Sequence, residues 1–135
     1  MGIEKDRRRR VGPSAQLKLK VALVAVDTAG GVVSLANPFS CALIVTKIII
    51  DVTTPATVTC HLSAGIAAGA TTLSATLIDT VDVHAAAIVA DNITNKGSGG
   101  AATRKWSSSQ YLTISVQDGA SAGMVGSAYI IYHIA

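Results

Sequence analysis

From Leu17 onward the chain never sustains a helical period. It is a succession of short apolar runs, each broken by a cluster of Gly, Pro, Asn or Asp. LKLKVALVAV places Leu17, Leu19, Val21, Leu23 and Ala25 on one side and Lys18, Lys20, Ala22, Val24 and Val26 on the other, and DTAGG closes it. Strict alternation of this kind fits a half-buried strand. VVSLA follows and ends at Asn37-Pro38; ALIVTKIIID (42–51) is the most apolar run and ends at Thr53-Thr54-Pro55. ATVTCHLSAG (56–65) sets Val58, Cys60 and Leu62 against Thr57, Thr59, His61 and Ser63. RKWSSS, YLTISVQD (111–118) and MVGSAYIIYHI (124–134) complete the series. Strand-like runs with turn signals roughly every ten residues predict an all-β chain, an antiparallel β-sandwich of jelly-roll type. Its domain spans 17–135, behind an extended basic arm at 1–16 that breaks at Gly12-Pro13.

Two segments carry finer expectations. ALIVTKIIID reads as a central strand buried on both faces, and the last run is apolar on both sides, which points to burial between subunits. Residues 66–90 are ambiguous: TTLSATLI reads as another strand, and DTVDVHAAAIVAD holds enough alanine for one short helix.

Charge is scarce and unevenly placed. Only 14% of residues are charged, against about 25–35% on the surface of a typical soluble monomer. A body so poor in charge is expected to hide surface against other copies or another protein. Residues 1–20 hold seven cations and two anions, whereas 21–135 hold four cations and six anions. The positive balance therefore belongs to the arm. A uniformly basic nucleic-acid-binding domain would carry cations on its folded face as well.

The arginines precede an apolar stretch, as in a secretory leader, but Lys18 and Lys20 interrupt it, so the expectation is a soluble, uncleaved chain. Residues 52–78 lack charge yet are rich in Thr, Ser and Gly, which does not suit a membrane span. Cys41 and Cys60 both lie in strand-like runs; two buried free thiols are expected rather than a disulfide.

Little in the chain suggests catalysis. Asp82 and His84 form the one carboxylate–histidine cluster, with too few ligands in one segment for a metal; a hydrogen-bonded loop is the expected role. No GxSxG, HExxH, P-loop or GxGxxG motif occurs, so no enzyme, cofactor or metal site is expected. Trp106 reads as an anchor fixing a loop to the core, and the Asn92-Ile-Thr94 sequon as accidental. Arg7, Arg8, Arg9 and Arg10 remain. They can neutralise phosphates, fork onto carboxylates of a protein, or simply solvate a tail; the acidic body favours protein.

Three segments, SAGIAAGATTLSATLID, DVHAAAIVADNITNKGSGG and RKWSSSQYLTISVQDGASAGMVGSAYIIYHI, resemble small virion proteins of tailed bacteriophages in style and order. The closing piece, an apolar strand, DGASAGMVG and an aliphatic–tyrosine strand, is the most specific. Such proteins include head decoration (cement) proteins and head-fibre knobs. The resemblance implies a β-sandwich that forms trimers on the outer surface of a capsid and binds the major capsid protein. Arg7, Arg8, Arg9 and Arg10, with Lys18 and Lys20, would meet acidic patches of that protein; this assignment rests on charge, since the resemblance lies in the body. A receptor-binding fibre or tail knob is the alternative, and a nucleic-acid-binding arm inside the capsid a third. No membrane partner is implied.

Overall fold

The computed structural model describes residues 16–135; Arg7, Arg8, Arg9 and Arg10 lie outside them. The described residues form nine strands and no helix: β1 (Leu17–Ala22), β2 (Val33–Ala36), β3 (Leu43–Thr54), β4 (Cys60–Ala67), β5 (Ile78–Asp82), β6 (Ile88–Asp91), β7 (Arg104–Trp106), β8 (Tyr111–Gly119) and β9 (Val125–Ile134). One sheet runs β1-β9-β3-β6, with β7 also on β3, and the other runs β2-β8-β4-β5. Every pairing is antiparallel. The pairs nest: β1 with β9, β2 with β8, β3 with β6, β4 with β5. That is a long four-ribbon hairpin rolled into a two-sheet sandwich, a jelly roll. The all-β expectation holds.

Alternation places the core. On β3, Leu43, Val45, Ile48, Ile50 and Val52 are at most 1% exposed. They face Leu62 and Ala64 of β4 and Leu112 and Ile114 of β8, all sealed from solvent in the same apolar cluster. Trp106 is the largest fully buried side chain. Its ring meets Tyr132 edge to face at 6.2 Å, and its Nε1–H donates to the Gln110 carbonyl at 3.0 Å. Anchoring a loop is thus its observed role.

Asn92 fills a gap in the first sheet. β6 pairs β3 at Ile49–Val52 and β7 pairs it at Leu43–Val45, which leaves the backbone around Ile48 without a strand partner on that side. The Asn92 Oδ1 accepts from the Ile48 N–H at 2.9 Å, and its Nδ2 donates to the carbonyls of Ala101 and Ala102 at 3.0 and 2.8 Å. This side chain is 0% exposed. The sequon asparagine is a structural plug, beyond the reach of a glycosyl transfer in the folded state.

Several expectations need correction. The second face of β3 is not fully buried by the described residues: Ile44 and Ile49, which point away from the core, are only half-buried. No helix forms after Ile78. The Asp82 carboxylate accepts the backbone N–H groups of His84 and Ala85 at 2.8 and 3.2 Å, turning the chain before β6 and overriding the alanine propensity. This is the hydrogen-bonded loop expected for Asp82 and His84. TTLSATLI is not a strand until Ile78. Its hydroxyls and carbonyls instead bond the outside of the second sheet: Ser74 Oγ donates to the Ile66 carbonyl, the Ile66 N–H donates to Thr76 Oγ1, and Thr113 Oγ1 donates to the Thr72 carbonyl. Val58 is 50% exposed because β4 starts only at Cys60, and the Thr57 N–H bonds the Ala122 carbonyl instead of a ladder partner. Both thiols are free, but Cys41 is exposed in the bend before β3 and only Cys60 is buried.

The outer faces of the two sheets contrast. Ser63, Gly65, Ala67, Thr113 and Ser115 line the outside of the second sheet, and all are buried. Small residues let the 68–77 loop lie flat there. A Cβ on Gly65 would sit 2.4 Å from Ser74 Oγ, so this position needs glycine. The Gly30 N–H covers Ser115 Oγ at 2.8 Å, and every buried side-chain N or O among the described residues has a partner. Among the described residues, no loop covers the outer face of the first sheet in this way.

Candidate partner-binding surface

β1 is an edge strand whose Leu17, Leu19 and Val21 pack toward the core, so Lys18 and Lys20 point outward. Register extends that outward face across the sheet. Lys18 lies opposite Ile131, which lies opposite Lys47. Lys20, Tyr129, Ile49 and Asp91 form the next row. His133, Ile44 and Lys105 form a third on the far side, and Ala22, Ser127, Asp51 and Val89 a fourth. The result is a sheet face on which lysines alternate with branched aliphatics and one tyrosine. Lys20 Nζ stands 5.6 Å from the Tyr129 ring centroid, a cation–π distance.

The face is cationic toward the end where the chain enters β1. Lys18, Lys20, Lys47 and Lys105 stand against Asp51 and Asp91. Asp91 is held below the usual carboxylate range, chiefly by the Thr94 N–H, with further help from the Ile93 N–H, the Thr94 hydroxyl and Lys47. Beside the face, Ile44, Ile66, Thr103, Arg104, Lys105, Ser107 and Gln110 line a crevice of about 430 Å³. Sequence reasoning singled out Lys18 and Lys20 but missed Lys47 and Lys105. The available signal was the single lysine inside ALIVTKIIID, since a charge within such a run must mark its solvent side.

The opposite end of the sandwich gathers Asp27, Asp82 and Asp118 around Cys60. His61 Nδ1 lies 2.5 Å from Asp118 Oδ1, with side chains 29% and 60% exposed, and Asp82 is its register partner on β5. An exposed pair of this kind contributes little to stability. The Asp82 carboxyl sits below the usual range because of the His84 and Ala85 N–H groups, with His61 a smaller cause. Asp27 is lowered by the Ser121 N–H and hydroxyl, at 2.8 and 2.7 Å. Burial, and then the charges of Asp27, Asp118 and Asp82, pushes the Cys60 thiol up to about 11, which makes it a poor nucleophile. Among the described residues no three His, Cys, Asp or Glu side chains come together to hold a metal, and no helix is long and apolar enough to cross a membrane.

The fold is shared with a chain from a phage capsid. Similarity to a chain in the "acidic stable capsid structure of Helicobacter pylori bacteriophage KHP30" covers 90% of this chain and 89% of that one, with a TM-score of 0.56 at 20% identity. At that identity the likeness is one of fold. No protein-family model and no curated protein matches this sequence.

Proposed function

We propose that this chain is a virion structural protein of a tailed bacteriophage, a cement (decoration) protein that binds the major capsid protein and stabilises the assembled head. The observation that carries this reading is the jelly-roll likeness to the KHP30 capsid chain along nearly the whole of both chains. The charge-poor body and its basic arm support it independently, because both suit a protein that spends its working life against other proteins. The arm, through Arg7, Arg8, Arg9 and Arg10, clamps acidic patches of the shell from the capsid's outer surface. Binding the assembled shell better than its separate subunits favours assembly by mass action, and several copies acting together add avidity. A trimer is the proposed state, with the exposed Val24, Val26, Val58 and Val125 supplying apolar surface for contact between copies.

The test is co-sedimentation of the full chain, and of a full chain with all four arginines changed to alanine, with DNA-free shells of its own virus. Saturable binding that weakens sharply in the alanine variant is expected. Absence of binding to empty shells, with retention on duplex DNA at a steep salt dependence, would replace this reading with an arm that binds phosphate. Mass measurement in solution checks the trimer.

A further inference from the structure

The outer face of an exposed antiparallel sheet ordinarily alternates to polar residues. Here β3 and β9 place Ile44, Ile49, Tyr129 and Ile131 on that face, all half-buried, and Val89 on β6 is 64% exposed. The corresponding face of the second sheet is small, polar and covered by the chain's own loops. The first sheet therefore carries apolar surface that the described residues do not cover, and such a surface usually marks a contact site.

Charge decides what covers it. Lys18, Lys20 and Lys105 stand on the outermost strands of this face, and Lys47 lies among its aliphatic rows. Four lysines against Asp51 and Asp91 leave the face net cationic, so a second copy laid face to face would bring two surpluses of the same sign together, and the chain's own Arg7–Arg10 segment is of that sign too. Nucleic acid would satisfy the lysines but leave Ile44, Ile49 and Ile131 against phosphate and sugar, with one tyrosine on the face for stacking. A protein surface with an apolar centre and a carboxylate rim satisfies both features together.

We infer that the outer face of the β1-β9-β3-β6 sheet is the surface that docks on the partner shell, against an apolar patch rimmed by Asp and Glu. This deepens the cement-protein reading and rests on it. The four arginines precede Lys18 by eight residues or more in the chain, so the cationic face lies on the strand that the basic segment leads into. The crevice lined by Arg104 and Lys105 lies at its border and suits an acidic side chain projecting from the partner. The arm supplies reach; the face supplies contact area.

The experiment uses full-length protein and DNA-free shells of its own virus. One variant carries Lys20→Glu, Lys47→Glu and Lys105→Glu; a second carries Ile49→Ser and Ile131→Ser, which leaves the charge unchanged. Far-UV circular dichroism and thermal melts verify folding, and Lys105→Glu alone, at an exposed position on the short strand β7, serves if the triple variant does not fold. Weakening of shell binding by about tenfold or more in both sets, with the arginines intact, is the expected result. Wild-type affinity in both sets while the arginine-to-alanine variant loses binding would overturn this face and leave the cement reading standing. A full-length chain that ignores shells would overturn both. Loss of duplex-DNA retention in the lysine variant, with shell binding unchanged, would assign the face to phosphate instead.

Discussion

Ile49 and Ile50 are neighbours in β3 and live in different environments: Ile50 is 0% exposed within the sandwich, whereas Ile49 is half-buried on the outer face between Tyr129 and Asp91. Their side chains differ only in which way the pleat turns them. Ile50→Ala should cost about 2–5 kcal/mol of stability, since it opens a cavity in a closed core. Ile49→Ala should cost no more than about 1 kcal/mol. Urea denaturation of the two variants measures this directly, and equal losses would mean that the outer face is packed as tightly as the core.

Asn92 provides the second prediction. Asn92→Ala removes the acceptor of the Ile48 N–H and the donor to two carbonyls in a site without solvent. A loss of about 1–3 kcal/mol is expected from the stranded backbone groups. Faster hydrogen exchange at the Ile48 amide would localise the damage, and an unchanged exchange rate would show that another group satisfies that amide.

The thiols should behave unequally. Cys41 is exposed, while Cys60 is buried with its thiol pushed up to about 11. A thiol reagent at pH 8 should therefore modify Cys41 rapidly in the native protein and reach Cys60 only after unfolding. Two fast equivalents under native conditions would contradict the placement of Cys60.

Acid should destabilise the fold. Asp27, Asp82 and Asp91 all lie below their ordinary value of 3.8 because backbone N–H groups bond their charged forms. In the unfolded chain these carboxyls bind protons more readily, so their contribution is fully present above about pH 4 and fades as pH falls through the lowered native values. Urea midpoints should be level from pH 7 to 5 and drop below pH 4. A midpoint that does not move on acidification would show that these bonds carry no net stability.

How far the sequence reached depended on the range of each interaction. The runs at 17–22, 111–118 and 125–134 were readable because alternation is a local property, and the run at 42–51 because it is almost wholly apolar, although a β-bulge between Val45 and Lys47 breaks its alternation. Ser74, Thr76 and Asp82 defeated the reading of 66–90, where side-chain hydroxyls and a carboxylate bond the backbone and displace both ladder and helix. The basic cluster was half legible: Lys18 and Lys20 alternate visibly with leucine, but nothing near Lys47 or Lys105 in the sequence reveals that they share a face with them.

The sequence by itself determined the all-β class, most of the strand-forming runs and the arm-to-body charge asymmetry, because composition and short-range alternation need no distant partner. The β-bulge between Val45 and Lys47, which sets Lys47 on the outer face, came only with the pairing of β3 and β9. Only the tertiary structure decided the nested pairing of β1 with β9 and β2 with β8, the covering of one outer face, and the partial burial of Ile44, Ile49 and Ile131 on the other. Those outcomes depend on contacts between segments up to more than a hundred residues apart, such as Leu17 with Tyr132. A strand apolar on both sides states that two faces need cover; which face the chain covers itself is settled only when the sheets close on one another.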